Sequence, residues 1–108
     1  MRYILIHKGP GVIPPEAMAS TLDMAKQLNA NPQAFVPGGK LVSSHYAIGA
    51  QTIYCVWDVP NAEALSSLLR NMSLAGWHTD VIPVESAEIA LPNMEKAYKD
   101  LMAMMARK

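Results

Sequence analysis

The chain reads as one α+β domain with the element order β-α-β-β-α-β and a further helix, its four strands forming a single antiparallel sheet. Three observations predict this. Gln51 to Glu85 spells out a strand, a capped helix and a second strand, with a turn or cap residue at each boundary. Arg2 to His7, followed by a proline-initiated helix, supplies an equivalent unit upstream. The length, 108 residues, suits one domain, taken here as residues 1–108.

Each element has a local reason. Arg2 to His7 is a β-branched and aromatic run stopped by Gly9-Pro10-Gly11. Pro14-Pro15-Glu16 opens the first helix, since proline is tolerated in a first turn and an acid there suits the helix dipole. Met18, Leu22, Ala25 and Leu28 recur on one face, and Asn29 to Gln33 closes the helix. Ala34 to Gly39 is a loop. Leu41 to Ile48 and Thr52 to Val59 are strands joined through Gly49-Ala50 as a hairpin. Asn61 is positioned as the N-cap of a second helix whose apolar face is Ala62, Leu65, Leu68, Leu69 and Met72, and Gly76 follows its end. Trp77 to Glu85 is the fourth strand. A last helix is expected from Pro92 or Asn93, carrying Met94, Ala97, Tyr98, Leu101, Met102 and Met105 on one side.

Right-handed crossovers give this order a sheet of spatial order 4-1-3-2 with both internal helices on one face. The other face is left bare. Apolar residues make up 51% of the chain and charged residues only 17%, which predicts an apolar surface hidden against a second copy, a homodimer.

Composition also excludes classes. Zero formal net charge, with no basic patch, argues against nucleic acid. No apolar run approaches the roughly 20 residues that span a bilayer, and MRYILIHKG lacks the features of a signal peptide. The single cysteine, Cys55, allows no internal disulfide, so cytoplasmic residence is expected. Gly9-Pro10-Gly11 and Pro37-Gly38-Gly39 match no phosphate-binding pattern, and no cofactor is expected.

The residues able to carry chemistry are few. His7, His45 and His78 fall toward the same end of the expected sheet, with about 10 Å between His45 and His7. Neutral imidazole suits proton transfer or metal ligation, but that spacing disfavours a three-histidine metal site within one protomer. Strand alternation places the aliphatic pair Ile4 and Ile6 toward the helices and Tyr3, Leu5 and His7 on the bare face. The same reasoning selects Leu41, Ser43 and His45 on the second strand, and Tyr54 on the third, for a pocket on that face. Asp58 is a turn residue or a pocket carboxylate. Asp80 shares a side of the fourth strand with His78, which would orient the ring as a base.

Tyr54 to Leu65, YCVWDVPNAEAL, resembles the muconolactone isomerase-like family, with Gly49, Tyr54, Val56, Asp58, Val59, Pro60, Glu63, Ala64 and Leu65 as the matching positions. The resemblance implies a ferredoxin-like, dimeric α+β barrel in which two sheets pair face to face around a small metabolite. The activity it implies is a cofactor-free, isomerase-like proton transfer; on this chain the candidates are His7, His45, His78, Tyr54, Asp58 and Asp80. A looser similarity, through Tyr54-Cys55, Pro60 to Ala64, Gly76 and Val84, is to a small ferredoxin-like family with nickel-binding members. That similarity implies a non-catalytic metal-binding protein. A third reading makes the chain an interaction or sensing module.

Overall fold

The computed structural model describes residues 1–107. The chain forms β1 (Arg2–Lys8), α1 (Pro15–Ala30), β2 (Lys40–Ala47), β3 (Thr52–Asp58), α2 (Ser66–Leu74), β4 (His78–Val84) and α3 (Ala87–Ala106). Short 3-10 turns lie at Pro32–Ala34, Ile48–Ala50 and Ala62–Leu65. The fold is α+β, with a four-stranded sheet of order β2-β3-β1-β4 in which every neighbouring pair is antiparallel.

Local chemistry accounts for most boundaries. Pro15 occupies the first turn of α1 with Glu16 beside it. The Asn61 side chain accepts from the Ala64 N–H at 3.1 Å, capping the 3-10 turn that leads into α2. At the other end, Gly76 adopts φ +88°. Its N–H bonds the Ser73 carbonyl and the Trp77 N–H bonds the Met72 carbonyl, a Schellman closure that a side chain at position 76 would strain. Pro83 is tolerated in β4 because that strand is an edge.

The core fills the space between one sheet face and α2, with the C-terminal part of α1. Tyr3, Leu5, Cys55 and Trp57 of the sheet meet Leu65, Leu68 and Met72, and α1 adds Leu28. Trp57 is fully buried and its indole Nε1 finds no hydrogen-bond partner among the described residues.

Three expectations are corrected. Tyr3, Leu5 and His7 face the helices, and Ile4 and Ile6 lie on the open face, half-buried. Alternation defines the two faces of β1 but not which one the helices take, so aliphatic character did not mark the covered side. On β2, the bulge between Leu41 and Ser43 breaks the alternation. Leu41 is paired with Trp57 and shares its covered face, whereas Ser43 and His45 pair with Val56 and Tyr54 on the open face. The last helix begins at Ala87, five residues before Pro92, which lies inside it. The Ser86 carbonyl accepts from the N–H groups of Ile89 and Ala90 and opens the first turn, and Glu88 there suits the dipole. Pro92 forfeits one i→i−4 bond without ending the helix.

α3 has 20 residues and none is buried. It projects from the body, giving the chain an extent of 63 Å and a radius of gyration of 18.1 Å. A compact domain of this length has a radius of about 13 Å.

Candidate functional site

Strand register sorts the open face into rows, because directly opposed residues in an antiparallel pair share a face. Arg2 aligns with Asp58 and Val84, and Ile4 with Val56 and Ile82. Ile6 aligns with Tyr54 and Asp80, and Lys8 with Thr52 and His78. On β2, His45 joins the row of Tyr54. The face therefore has an apolar centre between two polar ends.

At one end, Arg2 makes a paired contact with Asp58, Nε to Oδ1 at 2.7 Å and Nη2 to Oδ2 at 2.8 Å. That hydrogen bond holds the Asp58 carboxyl below its ordinary value and raises the guanidinium further. Both side chains are exposed, so the pair fixes orientation more than it stabilises the fold. At the other end, His78 Nε2 lies 2.9 Å from Asp80 Oδ1, and Lys8 Nζ lies 3.3 Å from Oδ2. The His78 hydrogen bond, with help from Lys8, lowers the Asp80 carboxyl. Asp80 thus stays ionised and orients the imidazole, the arrangement of a held general base.

His45 and Tyr54 are direct cross-strand neighbours on this face. Three strand spacings separate His45 from Asp80, about 14 Å. A single protomer thus brings together His78, Asp80 and Lys8, and separately His45 and Tyr54. It leaves Asp58 at the far end with Arg2.

His7 belongs to neither group. It is 1% exposed, on the covered face, and its Nδ1 shares a hydrogen bond of 2.7 Å with Thr79 Oγ1. Burial pushes its pKa down to about 4, so the ring is neutral near pH 7. The register does not bring His7 and His78 together: His7 opposes Thr79, and His78 opposes Lys8. Among the described residues, no three His, Cys, Asp or Glu side chains are grouped to hold a metal ion. Cys55 is buried, which raises its thiol pKa, and only Ser44 Oγ approaches it, at 3.7 Å.

The sequence reasoning missed a second concavity, on the helix side. A cleft of about 250 Å³ opens between α1 and the β2–β3 hairpin, walled by Met18, Leu22, Ile48, Ile53 and Trp77 among others. Its walls are almost wholly apolar. The α1 residues Met18 and Leu22, expected on one apolar face of the helix, remain half-exposed along this cleft. A narrower recess beside it reaches His7 and Met72. Gln51 was missed as well. It takes φ +48° at the hairpin, and its side-chain amide both accepts from the Gly11 N–H and donates to the Gly11 carbonyl. Its signal was weak: glycine at position 49 drew the turn assignment, although the left-handed residue is two positions later.

Among the described residues, no helix is long and apolar enough to cross a membrane. Comparison with protein-family models finds no match, and comparison with curated proteins finds no relative.

Proposed function

We propose that the protein is a homodimer that binds a small, partly apolar metabolite between two opposed open sheet faces, as in the muconolactone isomerase-like dimeric α+β barrels. The observation that carries this reading is the open face itself. Ile4, Ile6, Val56 and Ile82 form an apolar centre that no helix among the described residues covers, with ionisable groups ordered at both ends. Pairing two such faces buries the apolar rows and leaves polar side chains lining the space between the sheets.

The chemistry this arrangement favours is cofactor-free proton transfer of the isomerase type. His78, oriented by Asp80, would take a proton from an acidified carbon of the ligand, and Tyr54 would donate a hydrogen bond to its oxygen, with His45 beside it. Because the two groups stand about 10 Å apart or more within one sheet, a single ligand meets both only if the second copy contributes one of them. His7 takes no part in this mechanism, since it lies under the helices.

The test is isomerisation of a muconolactone-type lactone, followed by absorbance, alongside sedimentation of the same samples. Tyr54→Phe and His78→Gln are expected to lower turnover at least tenfold each, with His7→Asn near wild type. Turnover that survives Tyr54→Phe and His78→Gln sinks the catalytic assignment. A stable monomer at tens of micromolar sinks the dimeric site.

A further inference from the structure

α3 is an amphipathic helix with nothing to face. At 100° per residue, Leu91, Met94, Tyr98, Leu101, Met102 and Met105 fall within an apolar arc that with flanking alanines and Met104 spans about 160°. All six are exposed. Outside the arc the helix is mostly polar, Ile89 excepted, and the Glu95–Lys99 ion pair at 3.1 Å borders the arc beside Met102. Surface area gives the scale of what is uncovered. The chain exposes 7487 Å². A compact monomer of 11.8 kDa exposes about 5,900 Å². The excess, about 1,600 Å², is what each partner contributes to an obligate dimer interface.

We propose that α3 of each copy lies in the α1–β2 cleft of a second copy, so that two chains clasp each other by exchanging their C-terminal helices. This rests on the homodimer reading in needing a second copy, and adds where the helix goes. The cleft is the concave apolar surface that suits it. Its volume, about 250 Å³, lies below the range of about 300–1,000 Å³ usual for small-molecule sites. It also lacks the convergent free polar groups that orient a ligand; the hydroxyl of Tyr46 at its wall already accepts from Asn29 Nδ2 at 2.9 Å. Methionine and leucine side chains from a helix need no such groups, and Met102 and Met105 adapt readily to an irregular wall. Met18, Leu22 and Ile48 stand exposed along the rim to receive them, Ile48 at 86%.

In the single chain α3 does not enter the cleft, which no α3 residue lines. The cleft sits at the β2 side of the sheet, where Ala47 and Thr52 align with Lys8. α3 starts beyond Val84, on the opposite edge strand and at the opposite end, where Val84 aligns with Arg2. The offset is about 14 Å across the strands and about 20 Å along them. Only Glu85 and Ser86 connect β4 to the helix. A two-fold pair satisfies both chains at once, because each helix leaves its own body and enters the other.

The experiment uses full-length protein in analytical ultracentrifugation. Leu101→Glu with Met105→Glu on α3, and separately Leu22→Glu in the cleft, are each expected to weaken self-association at least tenfold. All three positions are at least half-exposed in the single chain, so circular dichroism should show the fold intact. The decisive step mixes the two variants. Exchange leaves one intact helix–cleft contact in the mixed dimer, so association recovers toward wild type. Pairing of α3 with α3 predicts instead that Leu22→Glu associates like wild type by itself, while every mixed dimer carries one mutant helix, so mixing gains nothing over the Leu22→Glu chain alone. Absence of recovery, or α3 variants as dimeric as wild type, overturns the exchange while leaving the dimer standing. A monomeric wild type overturns both readings. A cleft that instead takes up an apolar dye equally well in wild-type dimer and in the α3 variant is open to small molecules and is not filled by the helix.

Discussion

The two faces of the sheet are built from the same four strands and meet opposite fates. On the covered face, Tyr3, Leu5, Cys55 and Trp57 are almost fully removed from water. On the open face, Ile4, Ile6, Val56 and Ile82 have comparable or greater aliphatic character and keep substantial exposure. Hydrophobicity along a strand therefore did not decide which side the helices took. The covered side took the bulky rings, including a histidine held neutral, and the aliphatic side was left free. An aliphatic sheet face without a helix is costly to leave in water, at about 25 cal/mol per Å² of apolar surface. On the homodimer reading that cost favours association through the open face, while the covered face sets the stability of the single chain.

The sharpest way to break this division is at Trp57. Trp57→Ala is expected to cost about 3–5 kcal/mol, because it empties a fully buried position. Trp57→Phe should cost much less. It keeps most of the ring and removes an indole donor that has no partner, and a buried unsatisfied donor itself costs about 1–3 kcal/mol. Urea unfolding of the two variants separates these cases. Equal losses would mean that the indole N–H contributes a bond and that the core is more polar than its packing indicates.

His7 sharpens the comparison next. Its folded-state pKa, about 4, lies below the ordinary 6.5, so the folded chain favours the neutral ring. The unfolded chain takes up a proton as pH falls through 6.5, and the folded chain does not until about pH 4. Stability is therefore full above pH 6.5, declines between 6.5 and 4, and levels off below, for this group. The loss approaches about 3 kcal/mol as an order of magnitude. His7→Asn retains a partner for Thr79 and does not titrate, so its unfolding free energy should vary much less across that window. A wild-type profile as flat as that of His7→Asn would contradict the burial of the ring.

How much of this was legible in the sequence follows from what each signal encodes. Asn61 announced the 3-10 turn that leads into the second helix, which itself starts at Ser66, and Gly76 announced the helix end, because capping chemistry is local. The His78–Asp80 contact was legible because two residues apart on a strand means the same side. The side taken by His7 was not, because alternation gives two faces and says nothing about which one the helices cover. His45 shows a different limit. It does lie on the open face with Tyr54, but the reasoning that grouped it with Leu41 ignored the bulge between them. A bulge shifts alternation by one residue without a glycine or proline to mark it. Pro92 misled in the opposite sense, since a proline that usually starts a helix sits in the second turn of α3. The cleft was invisible because Met18 and Leu22 have ordinary core spacing, and only their exposure in the folded chain shows that they are not covered.

The smallest expected effect discriminates most finely between the faces. Ile82 is 42% exposed at the centre of the open face, beside Ile4. In a single chain, Ile82→Ala removes a side chain that water already reaches, and the unfolding midpoint should move by no more than about 0.5 kcal/mol in free energy. The same substitution in an associated pair removes apolar area from an interface, and its cost should rise with protein concentration as the pair forms. Measuring the variant and the wild type at about 1 μM and again at a hundredfold higher concentration therefore reads the role of the face directly. A difference that grows with concentration assigns the face to a second copy. A difference that stays small at both concentrations places the aliphatic rows in water in the working protein, and the contrast between the two faces would then reflect only which residues the helices needed.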